Sequence, residues 1–163
     1  MKKLLGLKPL NVLILSCLMA VVDGCVTKAP TYNQAEIHMP RLKAGYARVF
    51  LYCNQPSETT RPHDFVCSVD DQPVGLLSTR EFLFTDHTAG RCEIKAKAGS
   101  NPLLPSQHVV LDLEPGDVRY VRMDMKFTVP VQINLKIVDA EKGEEDVQTC
   151  VYMGKSLPSH AMR

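Results

Sequence analysis

Six cysteines and five histidines carry most of the chemistry open to this 163-residue chain. Cys53, Cys67, Cys92 and Cys150 are scattered, and no pair has the C-x-x-C spacing of a redox centre or zinc knuckle. Two short pairs, His63-Asp64 and Asp86-His87, have the composition of an acid–base or metal fragment. A metal needs three or four convergent ligands, and each pair supplies two neighbours beside a Pro or Gly turn signal. Met39, Met123 and Met125 offer soft thioethers of the kind copper prefers. Met123 and Met125 sit two apart in a strand pattern, however, which suits packing better. Ser78, Ser100 and Ser106 have no local activating partner, and no G-x-S-x-G elbow, phosphate-cradling loop or H-E-x-x-H is present. The reading is of a non-enzyme, with no catalytic residue, no cofactor and no metal ligand assigned. Its rival is an enzyme or ligand carrier whose site is assembled from distant loops around His63, His87 and His108.

The remaining two cysteines belong to a different feature. Lys2, Lys3 and Lys8 form a basic head, Val12 to Val22 an apolar core, and Asp23-Gly24 a turn leading into Cys25. The apolar stretch from Leu10 to Val22 is shorter than the roughly 20 residues a spanning helix needs. The layout is that of an export signal ending at a lipid-modified cysteine. Cys25 has Val22 and Gly24 at minus three and minus one, with an unusual Asp23 between them; Cys17 has Ile14 and Ser16 but would cut the apolar core in half. Processing at Cys25 leaves four cysteines and processing at Cys17 leaves five, so an oxidising compartment favours Cys25. Three acyl chains, palmitate among them, would then anchor the protein firmly where one would not. Val26 lacks the acidic character that retains such proteins in the inner membrane. The expected address is therefore the periplasmic face of a bacterial outer membrane.

Composition narrows the rest. Nineteen basic and eighteen acidic residues nearly cancel, and the basic ones do not line up in a stripe interleaved with the five Tyr and five Phe. Nucleic-acid binding has little support. In an exported domain of about 140 residues, four cysteines read as two disulfides within one core. Strand parity places Cys53 and Cys67 toward a common core, which makes Cys53–Cys67 and Cys92–Cys150 the economical pairing among three.

The elements that must position these groups are strands. Ala47–Cys53, Phe65–Val69, Val74–Leu77, Glu81–Thr85, Arg91–Ala98, His108–Leu113, Val118–Phe127 and Val129–Val138 are β-rich runs separated by turn signals. Arg91, Glu93, Lys95 and Lys97 alternate with Cys92, Ile94, Ala96 and Ala98, as in a half-buried antiparallel strand. Glu141 to Tyr152 reads as a short helix or a last strand, with the charged 141–145 run as a solvated turn. Arg119, Arg122, Arg91, Lys95 and Lys97 are candidates for a basic sheet face. The expected fold is all-β, an antiparallel sandwich of seven or eight strands, immunoglobulin- or transthyretin-like, with or without a short C-terminal helix. The expected organisation is a signal over residues 1–24, an acylated N-terminus and flexible tether over 25–45, the sandwich over 46–155 and a tail over 156–163.

Ala47 to Tyr52, Val69-Asp70-Asp71-Gln72-Pro73-Val74-Gly75-Leu76-Leu77, Phe82-Leu83-Phe84, Ala89-Gly90-Arg91-Cys92-Glu93-Ile94 and Leu113 to Arg122 occur in an order that resembles small bacterial lipoproteins of domain of unknown function 2846. The strand, D-x-x-P-V-G, strand passage is also similar to the PEGA-type β-domain. Thr88-Ala89-Gly90 and Asp70-Asp71 depart from the usual Pro-Gly and Asp-Gly but keep turn chemistry. The resemblance implies a β-sandwich of the cell envelope and carries no catalytic residue. Together these readings predict a lipid-anchored, non-enzymatic binding or assembly module. Its partners would be the membrane and envelope proteins, the latter docking on a sheet edge or on the Met-bearing face; the sequence names no small-molecule ligand.

Overall fold

A computed structural model describes residues 29–55, 64–99, 105–126 and 132–154. Nine strands run β1 (Tyr46–Cys53), β2 (Phe65–Val69), β3 (Gln72–Leu77), β4 (Glu81–Thr88), β5 (Gly90–Ala98), β6 (Gln107–Leu113), β7 (Val118–Lys126), β8 (Gln132–Val138) and β9 (Val151–Tyr152). Helix α1 (Tyr32–Glu36) precedes them and α2 (Ala140–Gln148) lies between β8 and β9. The strands form a five-stranded sheet, β8-β7-β1-β4-β9, and a four-stranded sheet, β3-β2-β5-β6. Most neighbours are antiparallel, but β1 runs parallel to β7 and β4 parallel to β9. The all-β sandwich expected from the alternation is present, with nine strands among the described residues where seven or eight were expected.

Turn chemistry explains the boundaries. Asp70 and Asp71 both have positive φ, +46° and +62°, as in the type I′ turns that match the twist of paired strands. The hairpin thus needs two turn residues rather than four, and Gln72 and Pro73 join β3, an edge strand where proline is tolerated. The His87-Thr88 pair, read as a turn, continues β4 instead. The corner falls at Ala89-Gly90, where Gly90 at φ +125° lets the chain leave the five-stranded sheet and start β5 in the other.

Strand parity sorts side chains by chemistry as well as polarity. Between the sheets lie aliphatic residues, among them Val49, Leu51, Leu83, Ile94 and Val121, with Cys53, Cys67, Cys92 and Met123. The opposite face of the five-stranded sheet is also apolar, but aromatic. Seven of the ten Tyr and Phe (Tyr32, Phe50, Tyr52, Phe82, Phe84, Tyr120 and Tyr152) are buried there with Ala35, Val147 and Cys150. Phe50 stacks on Tyr120 with ring centroids 5.1 Å apart and an interplanar angle of 10°, and Phe82 and Phe84 each lie 5.4 Å from Tyr152. A sheet with two apolar faces cannot stand at a surface. The two helices supply the third layer that covers it, and Tyr152 on edge strand β9 adds its ring to the same face.

That third layer changes the expected organisation at both ends. Ordered structure does not wait for Ala47. Thr31 caps α1, with the Gln34 side chain accepting from the Thr31 N–H at 3.0 Å, and Tyr32 and Ala35, one helical turn apart, bury against the sheet. Thr31 bridges Val151, and Tyr152 N–H donates to the Pro30 carbonyl at 2.8 Å. Residues 29–45 therefore belong to the domain rather than to a free tether. At the other end the 141–145 run is helical, not a turn: Asp139 caps α2 by accepting from Lys142 N–H at 2.9 Å, and the chain then turns into β9.

Helix α2 is locked by charge. Asp146, buried beneath it, accepts from Tyr52 Oη at 3.0 Å and pairs with Lys142 at 3.0 Å and Arg122 at 3.6 Å. Arg122 also pairs with Asp124, the second buried carboxylate, at 3.2 Å. Desolvation and the Asp146 carboxylate push the Tyr52 phenol well above its ordinary value, so it stays a donor. Contact is so close at Gly143 that an added Cβ would overlap Cβ and Cγ of Tyr120. Gly143→Ala should therefore destabilise by about 1–3 kcal/mol through overpacking, although alanine is the better helix former. Thermal unfolding checks this, and a variant as stable as the parent would refute the close packing of α2 on Tyr120.

Candidate functional site

The helix layer does not seal the aromatic face completely. Between α1, the 39–42 segment, the start of β7 and α2 lies a groove of about 420 Å³. Its floor is Tyr32, Phe50 and Tyr120, and Met39, Val118, Arg48, Glu36 and Glu144 are among its walls. Arg48 is spoken for. Its guanidinium forks onto Asp86 at 2.6 and 2.8 Å, donates to the Pro40 carbonyl at 2.7 Å and lies 4.8 Å from the centroid of Phe84. Glu36 and Glu144 form no ion pair among the described residues. Burial pushes the Tyr32 and Tyr120 phenols above their ordinary value, and both carboxylates add to that rise. The groove thus sets two carboxylates beside electron-rich ring faces that can take a cation, with Arg41 also in its lining. Sequence reasoning missed it: the aromatics read as ordinary strand residues and α1 as tether.

A second cluster lies at one end of the sandwich. Asp70 in the β2–β3 turn, His87 on β4 and Cys92 on β5 place one ligand atom each within 4.8 Å of one another. His87 Nε2 is 2.7 Å from Asp70 Oδ2, and His87 Nδ1 is 2.6 Å from the Thr88 carbonyl. The other carboxylate oxygen of Asp70 accepts from Glu93 N–H at 2.8 Å. That backbone bond, with His87 and Lys95 nearby, holds the Asp70 carboxyl below its ordinary value. The trio has the composition of a nucleophilic Cys-His-Asp set. Cys92 is 0 % exposed, though, and burial pushes its thiol up to about 11, so no substrate reaches it as a nucleophile.

The sequence-derived candidates fare unevenly. Asp86 and His87 cannot act together, because adjacent strand residues face opposite sides: Asp86 meets Arg48 on the aromatic face while His87 turns toward Cys92. His63 lies outside the described residues, and His108 is exposed on β6 opposite Lys95. Ser78 donates its N–H to Glu81 at 2.6 Å, Ser106 is exposed, and Ser100 lies outside the described residues. Met123 is buried with its sulfur 3.5 Å from Cys67 Sγ, so it offers nothing to a partner; the Met125 side chain lies outside the described residues. The proposed basic face is split between sheets, with Arg119 and Arg122 on β7 and Arg91, Lys95 and Lys97 on β5. Three of its members are neutralised by Asp117, by Asp124 and Asp146, and by Asp71 and Glu93.

All four domain cysteines are free and buried in the structure. Cys53 and Cys67 share the inter-sheet core, as parity implied, but Cys92 is in that core while Cys150 is in the aromatic layer on the other side of the five-stranded sheet. A Cys92–Cys150 bond does not suit that separation. Cys150 instead packs its sulfur 3.7 Å from the Cys53 carbonyl. Cys17 and Cys25 lie outside the described residues. No protein-family model matches the chain, nor does any curated protein.

Glu81, opposite Cys53 on β4, shows how local these environments are. Burial raises its carboxyl above the ordinary value of 4.5, outweighing the Ser78 N–H that favours the charged form. The folded chain therefore holds this proton to higher pH than the unfolded chain, and stability falls as pH rises from about 4.5 through the folded value. Glu81→Gln keeps the acceptor for Ser78 and removes the penalty. Denaturant unfolding should show the variant gaining on the parent between about pH 4 and pH 7; an unchanged gap would contradict the raised carboxyl.

Proposed function

We propose that this protein is a lipid-anchored module of the bacterial cell envelope that binds a partner protein without catalysing a reaction. Acylation falls at Cys25, and the domain works at the periplasmic face of the outer membrane. The basic head, short apolar core and Val22-Asp23-Gly24-Cys25 sequence support the anchor. The strand-and-turn passages that resemble domain of unknown function 2846 point the same way, and they fall on the scaffold strands and turns.

The observation that carries the binding role is the groove over Tyr32, Phe50 and Tyr120, with Glu36 and Glu144 on its walls. Its occupant is a lysine or arginine side chain of the partner, held by ring faces and by Glu36 and Glu144. Such a contact is worth about 1–2 kcal/mol when desolvated, enough for a tenfold effect on affinity. Edge-strand pairing is poorly served at two of the four sheet edges, since β3 carries Pro73 and β9 is two residues long.

In-cell crosslinking from a photoreactive residue at Val118, on the groove wall, tests this reading. The expected product is one envelope protein, with the crosslinked peptide containing Lys or Arg, and its yield should fall about tenfold in a Glu36→Gln/Glu144→Gln double variant. Intact mass of the membrane-extracted protein should show acylation at Cys25. A non-acylated soluble protein, or crosslinks indifferent to the double variant, would overturn the anchor or the groove respectively.

A further inference from the structure

We propose that Asp70, His87 and Cys92 form a three-ligand site for zinc or a similar borderline divalent ion, joining the two sheets of the sandwich. Carboxylate, imidazole and thiolate are the donor types such ions take, and three protein ligands with one open position is a recurrent zinc arrangement. The hydrogen bonding of His87 supports this assignment. Its Nδ1 faces the Thr88 carbonyl, which can only accept, so Nδ1 carries the hydrogen. In the neutral ring the Nε2 lone pair then points at Asp70 Oδ2, a second acceptor, 2.7 Å away. A proton on Nε2 satisfies this contact as an imidazolium–carboxylate pair, and a divalent ion is the other cation that can take its place. A backbone carbonyl fixing one nitrogen while the other is free to ligate is the usual second shell of a metal-bound histidine.

Geometry and charge agree. Tetrahedral zinc holds its N, O and S ligand atoms roughly 3.3–3.6 Å apart, and the three atoms here already lie within 4.8 Å of one another. The His87–Asp70 pair must open by about 0.7 Å to admit the ion at those bond lengths. Asp70 can move because only Oδ1 is held by Glu93 N–H. A divalent ion with one carboxylate and one thiolate forms a neutral set, and it supplies the charge that burial denies to Cys92 alone. Lys95, a cation that acts on Asp70, is occupied by Asp71 at 2.7 Å and Glu93 at 3.2 Å. Side-chain exposures of 45 % for Asp70 and 21 % for His87 leave the fourth position open to water. Because β4 belongs to one sheet and β2 and β5 to the other, a bound ion would tie the sheets together at that end.

Cobalt(II) titration of the untagged full-length chain in detergent tests the site. One equivalent should produce a cobalt–thiolate charge-transfer band, and zinc should abolish it and raise Tm. His87→Gln, partly exposed and expected to fold, and Asp70→Asn should each weaken binding at least ~100-fold; Cys92→Ser should remove the band while Cys150→Ser keeps it. No stoichiometric band, a band that survives His87→Gln, or one lost in Cys150→Ser instead, would overturn the proposal. If Cys92→Ser does not fold, the two partly exposed variants decide.

Discussion

The five-stranded sheet has to be covered on both faces, and most of the architecture follows from that requirement. Val49, Leu51, Leu83, Val121 and Met123 face the other sheet, while Phe50, Tyr52, Phe82, Phe84 and Tyr120 on the same strands face away from it. At about 25 cal/mol per Å² of apolar surface, and 150–250 Å² per aromatic ring, leaving five rings in water would forgo tens of kcal/mol. A two-layer sandwich cannot recover that. The chain instead recruits the segment before β1 and the segment after β8 as a third layer.

The third layer is made of short elements that would not hold their shape alone. A five-residue α1 and a nine-residue α2 fall below the length at which isolated helices persist in water. Their stability comes from the sheet: Tyr32 and Ala35 from α1, Val147 and the Gly143–Tyr120 contact from α2, and the Asp146 ion cluster beneath. Buried ion clusters of this kind contribute little net stability but penalise misplacement strongly, because a displaced Asp146 would take the acceptor from the buried Tyr52 hydroxyl and one carboxylate from Arg122 and Lys142. The cluster thus specifies where the helix sits more than it stabilises the fold. The groove is what remains over the rings beside the contact of α1 with α2.

How much of this the sequence disclosed depends on range. The strands were legible because period-two alternation is local, and β2 falls on the predicted residues. The second apolar face was not, since Phe50, Tyr52, Phe82 and Phe84 complete continuous apolar runs that look alike whether a strand is buried once or twice. Pro30 and Pro40 flank α1 and mask its single buried turn. The Asp70–His87–Cys92 cluster is built from a turn and two strands, and the Asp86-His87 pair that drew attention divides across the sheet. The even cysteine count suggested staples, yet no local pattern shows that Cys92 and Cys150 lie on opposite sides of one sheet. Convergence over long sequence distance leaves no periodic trace.

The contacts of Pro30 and Thr31 with Val151 and Tyr152 have a mechanical meaning. A pull on the chain ahead of residue 29 is delivered to the far end of the sequence, to β9 and the turn behind α2, before it reaches β1. Beyond that bridge, the load passes through β9 into β4, a parallel pair spanning two residue partners, Glu81–Val151 and Phe82–Tyr152. That pair is the slender link. Tension there loads α1 and the two-residue β9–β4 ladder ahead of the eight main strands.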